Sequence, residues 1–172
     1  MKLEAGTKEL ILLKSGEIAL KGLNRGSFED LMIKNCKRAL RDVGDFKFYK
    51  AQSTIYAQPM GDCDMEEALD RLSRVFGIAA LTRAAIAEKN FDSIQEAAAG
   101  YLEEELMAAA TFKVAAKRSD KTFPMTSPEI CRELGGWLLE RFPHLKVDVE
   151  NPDLLVVVEV RDFAAYVHGG QH

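Results

Sequence analysis

The chain is 172 residues long, 47% hydrophobic and 29% charged, which suits one or two folded domains and excludes a disordered segment. No apolar run nears the ~20 residues that cross a bilayer and the first eight residues lack the apolar core of a signal peptide, so a cytoplasmic protein without a membrane partner is expected. The net charge of −4 argues mildly against nucleic acid, but it is unevenly spread: +4 over 1–50, −7 over 51–112 and −1 over 113–172.

In chain order, residues 10–13 form a short apolar strand that runs into a loop containing Gly16, Gly22 and Gly26. The loop lacks the G-x-x-x-x-G-K-[ST] phosphate signature, so its glycines read as tight-turn residues. A helix from about Ser27 follows, with Phe28, Leu31, Met32, Asn35, Cys36, Ala39 and Leu40 on its apolar face. Its other side carries Lys34, Lys37, Arg38 and Arg41, a stripe that reads as a solvated face complementing the helix C-terminus. Residues 46–50 and 54–58 read as a hairpin joined through Gln52 and Ser53. Met65, Leu69, Leu72 and Val75/Phe76 space out a second helix that Gly77 would cap, and 78–86 is the next strand. The order β-α-β-β-α-β is the split ferredoxin-like arrangement.

A second unit follows. Ser93 is placed as the cap of a helix with Ile94, Ala98, Tyr101, Leu102 and Leu106 inward. In 112–117, Phe112, Val114 and Ala116 alternate with Lys113, Ala115 and Lys117, the period of a strand with one buried face. The strand ends in a turn, Arg118-Ser119-Asp120-Lys121, closed by Phe123-Pro124. A third helix is predicted from Ser127 as cap and Pro128 as first helical residue, with Ile130, Leu134, Trp137, Leu138 and Phe142 inward. Residues 146–149 make a brief strand, 154–158 a strand covered on both faces, and 164–167 a partner for it. The predicted class is α+β, a ferredoxin-like βαββαβ domain and then an α/β domain, divided as 1–76, 77–168 and a terminal linker 169–172.

Lys113, Lys117, Arg118 and Lys121 stand against one acid, Asp120. Two readings of them stay open: a grip on a polyanionic backbone, or a solvated strand edge whose lysines block unwanted pairing. Other residues suggest less. Glu103, Glu104 and Glu105 read as a solvated face, and His144, His168 and His172 are too scattered for a metal site, the last two in an expected tail. Three cysteines are too few and too far apart for a disulfide framework or a CxxC pair; Cys36 and Cys131 read as core and Cys63 as exposed. No serine, histidine and carboxylate suggest a triad, so no catalytic residue is assigned.

Two segments carry a resemblance. Lys14-Ser15-Gly16-Glu17-Ile18-Ala19-Leu20-Lys21-Gly22-Leu23-Asn24-Arg25, followed by Phe28-Glu29, resembles the opening of the tRNA 4-thiouridine synthetases. These are tRNA sulfurtransferases that also serve thiamine biosynthesis. Residues 112–121 and Asn151-Pro152-Asp153 leading into 154–161 are similar to that family's THUMP domain. The resemblance implies an RNA-binding module that holds the acceptor end of tRNA, with Lys14, Lys21, Arg25, Lys113, Lys117, Arg118 and Lys121 as candidate contacts and Asn24 bracing the first loop. Phe123 could stack on a base, although core packing suits it better.

The family's catalytic domain carries a Ser-Gly-Gly-x-Asp-Ser loop for ATP and a sulfur-handling cysteine, and this sequence contains neither. The chain is thus expected to be a fragment that binds tRNA without thiolating it and needs no cofactor of its own. For the intact protein the resemblance implies ATP, a cysteine desulfurase or other persulfide donor, and a homodimer. Two alternatives are a THUMP module of another RNA-modifying enzyme such as a methyltransferase, and a regulatory α/β module for a small molecule or protein. The Lys14–Phe28 segment speaks against the first, while the acidity of 51–112 leaves the second open.

Overall fold

The computed structural model describes residues 8–16, 25–51 and 54–169. The chain divides into two compact units, Glu9–Arg83 and the part from Ala84 onward, with the division inside a strand. The sequence reading put it between Phe76 and Gly77, in the turn before that strand. The first half of that strand lies beside the first strand of the chain and its second half pairs with the last.

The first unit runs β1 (Lys8–Ser15), α1 (Arg25–Ala39), β2 (Phe46–Ala51), β3 (Thr54–Pro59), α2 (Met65–Leu72) and the start of β4 (Ile78–Ala87). Its strands lie in the order β2-β3-β1-β4, with β1 antiparallel to β3 and β3 antiparallel to β2, which is the ferredoxin-like topology the element order implies. Ile11, Leu13, Phe28, Met32, Cys36 and Leu72 are among the residues that close its core. Arg71 on α2 donates to Asp42 at 2.5 Å, to Glu67 at 2.9 Å and to the carbonyl of Ala39, tying α2 to the end of α1. Arg83 and Glu9 form a two-point ion pair at 2.7 and 2.9 Å.

Three local expectations change here. Leu31 is half exposed, because helical spacing alone overestimates how wide a stripe the sheet covers. The helix α2 ends at Leu72 with Ser73 as its cap, and Phe76 is exposed. Gly77 does adopt a positive φ of 98°, but five residues later, where it turns the chain into β4. Gln52 and Ser53, the expected hairpin turn, lie outside the described residues.

The second unit adds α3 (Phe91–Tyr101), α4 (Glu103–Ala108), β5 (Thr111–Arg118), α5 (Ser127–Arg141), β6 (Lys146–Val147), β7 (Leu154–Val160) and β8 (Ala165–His168). Its strands run β4-β8-β7-β5-β6, with β7 and β6 parallel to β5 and β8 antiparallel to both its neighbours. Phe112, Val114, Val156 and Val158 face inward with Ile94, Ala98, Leu134 and Leu138, so α3 and α5 cover one face of this sheet. Gly135 passes over Val114, where an added Cβ would sit 3.9 Å from the valine methyl.

Helix starts differ from expectation by one to three residues, and the single helix expected to include Leu106 is two, α3 and α4. Asn90, not Ser93, caps α3: the Asn90 side chain accepts from the Ser93 amide. Thr126, not Ser127, caps α5 through a reciprocal capping box with Glu129, and Pro128 falls inside the first turn. His168 belongs to no tail. It is buried in β8, with Nε2 2.8 Å from Oε2 of Glu159, which also pairs with Arg161. Within 154–158, Leu154 and Val156 to Val158 are buried as expected, but Leu155 is 37% exposed.

Candidate nucleic-acid interface

The alternation along β5 sorts its side chains into two sets. Phe112 and Val114 sink under α5, which sends Lys113 and Lys117 to the opposite face, Lys113 half-buried and Lys117 exposed. In register beside them on β7 stand Leu155 and Glu159. On the other side β6 pairs only with Thr111 and Phe112. Beyond Phe112, β5 is therefore an edge among the described residues, so both readings of the lysines fit its geometry.

Past Arg118 the chain folds into a tied loop rather than a loose basic turn. Nη1 of Arg118 donates to the carbonyls of Lys121 at 3.3 Å and Phe123 at 3.0 Å, and Nζ of Lys121 donates back to the carbonyl of Arg118 at 3.3 Å. Part of each cation's donor capacity is thus used inside the loop, while Lys113 and Lys117 carry no such tie. The amide and hydroxyl of Ser119 both donate to the carbonyl of Val160, at 2.9 and 3.3 Å. Phe123 is buried in the core, so it offers no stacking face.

The acid of the loop is the most engaged group. Oδ1 of Asp120 accepts from the Thr122 amide at 3.0 Å and hydroxyl at 2.6 Å. Oδ2 accepts from Nζ of Lys89 at 2.5 Å, and Nζ also donates to the carbonyl of Asp162 at 3.0 Å. The Lys89 and Thr122 bonds hold the Asp120 carboxyl well below the usual carboxylate range. Lys89 escaped the sequence reading because it lies 31 residues from its partner, and no spacing rule links them.

Of the candidates in the first unit, Lys14 is half-buried on β1 opposite Thr54 and Arg25 opens α1. Lys21 and Asn24 lie outside the described residues. Lys34, Lys37, Arg38 and Arg41 are all exposed, as a solvated stripe requires. Cys36 is buried and its thiol is pushed up to about 12 by burial. Cys63 is half-buried rather than exposed, since its thiol fits against Gly44 and donates to the carbonyl of Asp45 at 3.8 Å. Among the described residues no three His, Cys, Asp or Glu side chains are grouped to hold a metal ion, and no helix is long and apolar enough to cross a membrane.

Two family models match the chain: the ThiI ferredoxin-like domain over residues 10–82 and the THUMP domain over residues 88–168. The chain is 44% identical over 159 residues to a probable tRNA sulfurtransferase of Acetivibrio thermocellus, spanning 91% of this chain and 41% of that protein. It spans about two-fifths of the length of the curated relatives it matches. A solved 4-thiouridine synthetase, in complex with RNA and with bound ATP, superposes with a TM-score of 0.81 at 27% identity, covering 95% of this chain and 41% of that one. A Pyrococcus horikoshii protein, PH1313, gives a TM-score of 0.82 at 25% identity, covering 95% of this chain and 54% of that one. The match over 10–82 sets the chain apart from one carrying a THUMP domain alone. The chain is thus a ThiI ferredoxin-like domain followed by a THUMP domain, and its similarity to probable tRNA sulfurtransferases runs through both.

Proposed function

We propose that these two domains bind tRNA by its acceptor end, on behalf of a protein that makes 4-thiouridine in tRNA and supplies sulfur for the thiamine thiazole. The observation that carries the reading is the likeness of 95% of the chain to a 4-thiouridine synthetase solved with RNA. The cations on and after β5 supply the chemistry. Lys117 is exposed on the sheet face opposite α5, and Lys113 shares that face. Phosphate oxygens accept from such ammonium groups with little regard to sequence, as holding the end of many tRNAs requires. Arg118 and Lys121 contribute charge from a loop whose backbone they also help to shape.

In the whole protein, ATP would activate the uridine and a persulfide donor such as a cysteine desulfurase would supply the sulfur, in residues beyond these domains. A cytoplasmic homodimer, in which one subunit's binding module serves the other's chemistry, completes the proposal.

The test is a titration of the 172-residue chain with unfractionated tRNA at several salt concentrations. Binding should weaken linearly on a log–log scale as salt rises, and Lys117→Ala should flatten the slope by about one. Lys113→Ala should act in the same direction. No binding at low salt sinks the reading, while an unchanged slope in both variants removes this face from it.

A further inference from the structure

We propose that Asp120 is a positioning residue that, anchored by Lys89, holds the 118–124 loop in the shape that binds RNA. An acid at the centre of a basic surface would then strengthen polyanion binding instead of opposing it. The inference rests on the RNA reading above and adds a part that composition would score the wrong way.

Three observations carry it. First, every bond of the Asp120 carboxylate is spent on architecture: Thr122 twice through Oδ1, Lys89 through Oδ2. Second, the bonds join segments distant in sequence. Lys89 follows β4, its Nζ also reaches the carbonyl of Asp162 between β7 and β8, and Ser119 beside Asp120 is bonded to Val160. Three connections at one end of the sheet are thereby tied to one carboxylate. Third, the side chain of Asp120 is only 12% exposed and faces an ammonium at 2.5 Å, so its charge is matched before a phosphate could meet it.

The consequence for binding follows from conformational entropy. Arg118 and Lys121 reach a ligand from a loop, and a loop that must order on binding does so at the expense of affinity. With Asp120 in place the turn is set beforehand, and the two cations leave it at defined points. Without it, the Thr122 donors lose their acceptor and the Lys89 ammonium keeps only the carbonyl of Asp162.

Charge and positioning predict opposite signs, which makes the test clean. Asp120→Ala and Asp120→Asn each remove one negative charge; Glu140→Gln, at the far end of α5, makes the same change in net charge elsewhere. Titrated with unfractionated tRNA, Glu140→Gln should bind at least as tightly as the unaltered chain. Asp120→Ala should bind about five- to tenfold more weakly and with a salt slope lower by about one, the loss of one phosphate contact. Asp120→Asn should fall between, because its carboxamide oxygen still accepts from Thr122. Without RNA, the Ser119 and Thr122 amides should exchange hydrogen faster in Asp120→Ala.

Equal or tighter binding by Asp120→Ala, weaker binding with an unchanged slope, or unchanged amide exchange overturns the proposal. If Asp120→Ala does not fold, Asp120→Asn decides by the same criteria. Failure of the unaltered chain to bind tRNA at low salt overturns the RNA reading itself, a result distinct from any of these.

Discussion

Replacing Glu159 with glutamine removes one charge from the most buried ionic cluster of the second unit. Glu159 and His168 side chains are each 4% exposed and Arg161 is 14% exposed. Burial pushes the Glu159 carboxyl up, but the hydrogen bonds from His168 and Arg161, with their charges, outweigh it and hold the group at about 2 against an ordinary 4.5. Because the folded value is the lower one, the stabilisation is complete above the ordinary value and is lost as pH falls through the folded one. A carboxyl drawn down that far favours the folded chain by about 3 kcal/mol at neutral pH. Glutamine keeps the shape and leaves Arg161 without its counter-charge, so the variant should lose about 3–5 kcal/mol. Urea unfolding followed by circular dichroism at pH 7, 5, 4 and 3 reads this directly. The gap between the two proteins should be steady from pH 7 to 5 and shrink by about half at pH 3. A gap below about 1 kcal/mol at pH 7, or one that does not narrow with acid, refutes the reasoning.

Three further outcomes test separate parts of the fold. Gly77→Ala should destabilise by about 2–4 kcal/mol in urea unfolding, since φ is +98° there and the new Cβ would lie 2.5 Å from Cζ of the buried Phe28. Thr126→Ala removes the cap of α5 and with it the amide contact to Glu129; the expected loss is about 1 kcal/mol, seen as a lower melting temperature. Cys36, buried with its thiol pushed up to about 12, should react with a thiol reagent only as fast as its unit opens, whereas half-buried Cys63 should react sooner. Equal rates for the two cysteines would contradict the burial assigned to them.

Much of the architecture was legible because it is written in short-range periods. The alternation of Phe112, Val114 and Ala116 with Lys113 and Lys117 is visible without coordinates, and the structure builds that strand and buries Phe112 and Val114, with Ala116 partly buried. The apolar run in 154–158 is likewise a buried strand parallel to β5. Helix ends were less legible. Thr126 and Glu129 already had the spacing of a capping box, yet Ser127 before Pro128 is an equally reasonable local signal, and only backbone geometry separates them. The basic segment was legible as charge but not as shape: nothing in 112–124 announces that Arg118 and Lys121 bond the loop's own carbonyls.

The sequence by itself determined where strands and helices form and which faces are apolar, because each depends on residues within a turn or two of one another, and the resemblance was carried by contiguous segments, 14–29, 112–121 and 151–161. Only the tertiary structure decided that Asp120 meets Lys89, that His168 is buried against Glu159, and that β4 belongs to both units. Those contacts join residues 31 positions apart, side chains across two antiparallel strands, and one strand to partners near opposite ends of the chain. Their energies depend on burial and on the geometry of approach, quantities that no local pattern records.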